Sequence, residues 1–231
     1  MNYIHYKLIL ILSLPFWACH CDSRNQVQQT TKEVYPFKKI NAYVRYMQQN
    51  RELQAEMTFK TDSSVAIEGS VLVNKKPMQA KKLPTVGLQY RLLENAVSFD
   101  SSYTFEFKQN GGSSQTFNIE MNRFENPEIM GQQISQKNGG VLQWKGAALE
   151  KEDGLILIFT DSEGQTFSVN HNGISRGNKF ELVANYSKRL SKGPAQLLIT
   201  RKTTTQNQID NCSNLLCLEY YHRPITFNVT N

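Results

Sequence analysis

Leu53, Ala55, Met57 and Phe59 alternate with Glu52, Gln54, Glu56, Thr58 and Lys60 in RELQAEMTFK, and the same period of two returns almost to the end of the chain. Side chains that switch faces at every residue describe a strand with one side buried. Val65, Ile67, Gly69, Val71 and Val73 continue the pattern. GLQYRL (Leu88, Tyr90, Leu92), SYTFEFKQ (Tyr103, Phe105, Phe107) and QTFNIEM (Phe117, Ile119, Met121) come after them. Asn110-Gly111-Gly112 supplies a hairpin turn, because glycine adopts positive φ without strain. The first half of NRFENPEIMGQQISQKNGG loses the alternation and contains Asn-Pro, so it reads as an interdomain linker. A second set of strands then begins: VLQWKG, LILIFTD, GQTFSVN, KFELVANYS, AQLLITRK and PITFNVT. No stretch holds a helical period, which leaves room only for a short turn near Tyr186–Leu190. The expected fold class is all-β, with two antiparallel β-sandwiches in succession over residues 34–124 and 125–231.

The two sets echo each other. Ser-Gln-Thr-Phe-Asn-Ile at 114–119 matches Gly-Gln-Thr-Phe-Ser-Val at 164–169, and Leu88-Gln-Tyr-Arg matches Leu142-Gln-Trp-Lys in the same order. Either two related units each use a core aromatic strand followed by a hairpin, or residues common in strands coincide. Trp144 shares parity with Leu142 and is expected in a sandwich core.

Residues 1–18, MNYIHYKLILILSLPFWA, read as an export signal: Lys7 gives the positive end, and Leu8–Leu14 form an apolar run. That run is too short to span a bilayer, which takes roughly 20 apolar residues. Ala18-Cys19 is similar to the box in which bacterial lipoproteins are cut and acylated, although Phe16 and Trp17 depart from it. Cys19 is the expected lipidation site, and 19–33 a lipid-anchored polar tether. Cys212 and Cys217 enclose Ser-Asn-Leu-Leu. In an oxidising compartment they read as a local disulfide; a metal pair is the alternative, but no second Cys/His pair accompanies it. Cys21 is left over.

A lipoprotein-type signal, a polar tether, and GSVLVN followed by GLQYRL and YTFEF together resemble the surface and periplasmic lipoproteins of Bacteroidota that carry tandem Ig-like, fibronectin-like domains. The resemblance covers most of 34–231 and rests on pattern, not on a diagnostic motif. It implies Ig-like sandwiches, export to the cell envelope as an outer-membrane lipoprotein on its periplasmic or surface face, and work in binding, adhesion or assembly. It supplies no catalytic residues.

Catalytic chemistry has little support in the residues. Three histidines lie beyond the signal, His20, His171 and His222, and none belongs to a zinc-binding spacing. Phosphate-binding glycine loops are absent from the sequence, and its one G-x-S-x-G run, GISRG at 173–177, is not followed by the helical period that a nucleophile elbow requires. Glu150, Glu152 and Asp153 crowd one loop, while Asp161-Ser162-Glu163-Gly164 reads as a hairpin turn and only a fragment of a calcium loop. No enzyme activity, cofactor or metal is expected. The runner-up functions are carbohydrate capture by exposed aromatics and a hydrolase with a carboxylate pair between the domains. Tyr220-Tyr221 must point to opposite faces of a strand, so at least one is a candidate for glycan binding. The formal charge of +6 peaks at Lys75, Lys76, Lys81 and Lys82, which suit an acidic polysaccharide or a solvated edge strand. Nucleic acid is not expected, since interleaved aromatics are missing there. The expected partners are the membrane, through the anchor, and an envelope protein or an acidic or neutral polysaccharide.

Overall fold

Alternation becomes strand after strand in the computed structural model, which describes residues 37–61, 69–83, 87–110, 114–209 and 211–231. The first eight strands are β1 (Phe37–Met47), β2 (Glu52–Thr61), β3 (Gly69–Val73), β4 (Lys76–Pro77), β5 (Gln79–Leu83), β6 (Gly87–Glu94), β7 (Ser102–Gln109) and β8 (Ser114–Glu120). The rest are β9 (Phe124–Ile129), β10 (Gln133–Ser135), β11 (Gly140–Gly146), β12 (Asp153–Thr160), β13 (Thr166–Asn172), β14 (Lys179–Leu182), β15 (Gly193–Ile209), β16 (Cys212–Tyr221) and β17 (Ile225–Thr230). A single helical turn, α1 (Ala184–Ser187), interrupts them close to where the sequence placed one.

In the first half, β1-β2-β6-β5 form one layer and β4-β3-β7-β8 the other. This is the A-B-E-D over C-F-G arrangement of an Ig constant-type sandwich, with β4 as an added C′ strand. The inward positions are those the alternation marked: Leu53, Ala55, Met57 and Phe59 on β2, and Tyr103, Phe105 and Phe107 on β7. Phe37, Phe59 and Phe107 interlock across the layers with centroids 4.6, 5.2 and 5.0 Å apart. The Tyr90 hydroxyl donates to the Gly69 carbonyl at 2.9 Å. A β-carbon on Gly69 would lie 2.5 Å from the Lys108 carbonyl, so only glycine lets β3 approach β7 here.

The second half repeats the plan. β9-β11-β14 cover β10, β17, β15, β12 and β13, an A-B-E layer over A′-G-F-C-C′. Trp144 is buried between them, 5.0 Å from Phe124, and its indole N–H donates to the Ala147 carbonyl at 2.7 Å. The segment expected to be a linker is instead a strand that changes layers. β9 pairs antiparallel with β11, the chain turns through Gly131 and Gln132 at φ 66° and 54°, and β10 then runs parallel to β17. Sequence alternation failed there because Asn126 takes φ 48° ahead of Pro127, so burial falls on Phe124, Pro127 and Ile129 rather than on every second residue.

The two halves share a strand ribbon. β15 pairs with β17 through Leu197, with β12 from Gln196 to Thr203, and with β16 from Thr200 to Ile209. β16 then lies parallel to β1, in register from Lys39–Ser213 to Met47–Tyr221. Cys212, Leu216 and Leu218 thereby join the first core, although they come after the second in sequence. The described residues from Phe37 to Asn231 pack as one unit.

This placement corrects the expected Cys212–Cys217 disulfide. Both thiols are free, Cys212 buried in the core and Cys217 half-buried on the outer face. Five residues of strand separate their Cα atoms by about 16 Å at ~3.3 Å per residue, whereas a disulfide holds Cα atoms within roughly 7 Å. An odd spacing also sends the two side chains to opposite faces.

Candidate functional site

Where the two sandwiches meet, a cleft of about 630 Å³ opens between the β6–β7 loop, the Met121–Glu125 connection and the end of β16. Its first wall is Ser98-Phe99-Asp100-Ser101. Asp100 braces that loop: one carboxylate oxygen accepts from the Ser102 N–H at 3.1 Å and the other from the Asn74 amide at 3.1 Å. Phe99 stands edge-on to Tyr220, centroids 4.6 Å apart, and also packs against Tyr46 at 5.4 Å. Phe99 and Tyr220 make the floor. Burial pushes the Tyr220 phenol up to about 12.

The second wall, Asn122 to Glu125, is held from beneath. The Arg123 carbonyl accepts from the Arg201 guanidinium and from the Ala147 N–H, both at 3.3 Å. Arg201 is fully buried, and its partner Asp153 is 5% exposed at 2.7 Å. Asp153 also accepts from the Thr203 hydroxyl at 2.5 Å and the Glu150 N–H at 3.0 Å. A buried ion pair is tolerable only with such added hydrogen bonds. The Arg201 guanidinium lies 5.5 Å from the Phe124 ring centroid, adding a cation–π contact.

His222 closes the junction. It packs against Tyr220 at 5.0 Å and Phe124 at 5.6 Å, and its Nε2–H donates to the Phe124 carbonyl at 3.4 Å. Burial lowers its pKa from 6.5 to about 4. Between those values the unfolded chain binds a proton that the folded chain refuses, so stability is full above about pH 6.5 and falls as pH drops toward 4. The loss should reach about 3 kcal/mol, at ~1.4 kcal/mol per pH unit. Urea titrations at pH 7 and pH 4.5 should show His222→Gln with a flatter dependence than the parent chain; equal slopes would dismiss the assignment.

The sequence candidates are scattered. Tyr220 lines the cleft, but Tyr221 points to the outer face, where its hydroxyl and that of Tyr43 donate to Glu219 at 2.8 and 2.7 Å. Burial is the first cause that raises both phenols, and Glu219 adds to it. Lys75 occupies a turn at φ 66°, Lys76 is paired with both oxygens of Glu94 at 2.8 and 2.7 Å, and Lys81 and Lys82 are exposed on the edge strand β5. His171 packs on Phe180 at 5.0 Å, away from the cleft lining. The Asp161 carboxylate takes up backbone N–H groups of Ser191, Gln165 and Glu163 at 2.9, 2.9 and 3.0 Å, which hold its pKa below the usual range. Among the described residues no three of His, Cys, Asp and Glu gather as for a metal. Cys19 lies outside the described residues. Phe99, Asp100, Arg123 and Glu125 had no period or motif to mark them; an aromatic set among small polar residues in SFDSS was the one available hint.

Fold and junction together define a tandem Ig-like sandwich protein. No protein-family model matches the chain, and no curated protein matches it in sequence. Among solved structures, the tetra-tandem repeat in the extending region of a large adhesion protein is similar at 15% identity and TM-score 0.27, covering 82% of this chain and 49% of that one. This chain thus spans about half the length of that structure. DIP-gamma IG1+IG2 is similar at 12% identity and TM-score 0.23, with 80% and 95% covered. A structure concerned with host cell surface retention of a 1.5-MDa bacterial ice-binding adhesin is similar at 9% identity and TM-score 0.24, with 85% and 66% covered.

Proposed function

We propose that this chain is an exported, lipid-anchored, non-catalytic binding or scaffolding protein of the bacterial cell envelope. The observation that carries the scaffolding role is the β15–β16 ribbon, which joins both sandwiches in one hydrogen-bonded sheet. A pair of sandwiches linked only by a peptide tether would hinge freely. A shared ladder instead holds the walls of the junction cleft at a fixed separation, which lowers the ordering cost of binding. In the cleft, Asp100 and Glu125 supply two carboxylates, but Asp100 commits both oxygens to bracing its own loop. That favours recognition over hydrolysis. The anchor is supported by Ala18-Cys19 behind the apolar run and by the polar stretch after it. Cells expressing the full chain and fed an alkynyl palmitate analogue should label the protein, and Cys19→Ala should abolish the label. Label that persists in the variant overturns the anchor.

A further inference from the structure

The junction cleft also has a chemistry that selects a ligand class. We infer that it binds a short neutral glycan, with a sugar ring on Tyr220 and Phe99 and its hydroxyls shared between the two polar walls. This deepens the binding role proposed above and rests on it. At about 630 Å³ the cleft falls within the roughly 300–1,000 Å³ of small-molecule sites.

Three features point to a polyol. The floor is aromatic, and a pyranose presents a face of C–H groups that covers such a surface without needing polar partners. The Tyr220 hydroxyl has no hydrogen-bond partner among the described residues, so a ligand that dries the floor must supply one. The walls hold both an acceptor and donors: the Glu125 carboxylate stands in a lining that also contains Asn122 and Arg123. Carboxylate and guanidinium forks match pairs of adjacent hydroxyls.

Charge gives neither sign of ionic ligand an advantage. Asp100 and Glu125 are offset by Arg123 in the lining and by Arg223, which lies close enough to Tyr220 to act on its phenol. An anionic sugar would meet both carboxylates and a cationic one both guanidinium groups. The lysines at 75, 76, 81 and 82 are not among the lining residues.

Calorimetric titration of the full chain with maltotriose, cellotriose and triacetylchitotriose tests this, with trigalacturonate as the acidic control. At least one neutral trisaccharide should bind with a Kd of about 1 mM or tighter. Tyr220→Ala should weaken it at least about tenfold and Glu125→Ala several-fold, while Tyr221→Ala leaves it unchanged. Glu125 is exposed, so its variant reads binding even if Tyr220→Ala disturbs folding. No binding by any neutral probe, binding indifferent to both substitutions, or binding of trigalacturonate alone overturns the inference. None of these results touches the palmitate label or the shared ladder, so the scaffold role stands or falls separately.

Discussion

Arg201→Ala should cost about 3–5 kcal/mol of stability, the usual penalty for stranding one partner of a buried ion pair. Against the roughly 5–15 kcal/mol that holds a typical domain together, that is a large share. The reason is local. Arg201 is fully buried, donates to Asp153 at 2.7 Å and to the Arg123 carbonyl at 3.3 Å, and sits over Phe124. Its removal leaves the Asp153 carboxylate with the Thr203 hydroxyl and the Glu150 N–H but no counter-charge. It also takes away one of the two donors to the Arg123 carbonyl that fixes the second wall of the cleft. The double replacement Arg201→Met with Asp153→Leu should recover much of the loss, because an apolar pair carries no desolvation cost. Urea denaturation of the three chains checks both statements; a loss below about 1 kcal/mol for Arg201→Ala would remove the ion pair from the account of the junction.

A fragment of residues 34–124 should not keep the fold it has in the whole chain. Without β16 it loses Cys212, Leu216 and Leu218 from its core and the whole parallel ladder along β1. Truncating one buried leucine to alanine already costs about 2–5 kcal/mol, and a bare edge strand is a template for association with another chain. The fragment is therefore expected to be aggregated or only partly protected in amide exchange. A synthetic peptide of residues 211–222, added in trans, should restore a monodisperse and protected species. A fragment that is monomeric and as stable as the parent without the peptide would show that the ribbon decorates the first sandwich without supporting it.

Parity along each strand is legible in the sequence alone. Leu53, Ala55, Met57 and Phe59, then Tyr103, Phe105 and Phe107, are the inward positions that alternation names. The repeated phrases fall in similar hairpins but in different strands of the two sandwiches, β8 being the G strand of the first and β13 the C′ strand of the second. Phe117 sits opposite Phe105 and Phe167 opposite Phe159, each in the second strand of a hairpin, and Tyr90 and Trp144 are the buried aromatics on the strands before them. Alternation failed at β9, where a residue at positive φ shifts the register of burial. In β16 the alternation is present, but the Cys212–Cys217 spacing led to a local disulfide instead of a strand, and the strand's partner was not predictable. Cys212, Asn214, Leu216 and Leu218 all point inward, yet nothing local says that they pack against strands some 170 residues earlier in the sequence.

Sequence by itself determined which side is greasy in the strands that its alternation marked, and with it the all-β class and the two stacked pairs of layers, because backbone geometry turns a local pattern directly into a buried face. Only tertiary structure decided that β16 crosses to the other sandwich, that Tyr220 rather than Tyr221 looks into a cleft, and that Asp153 and Arg201 meet in the interior. Those outcomes depend on which edges find each other in space, and main-chain pairing is indifferent to side-chain identity, so no pattern within one strand can announce its neighbour.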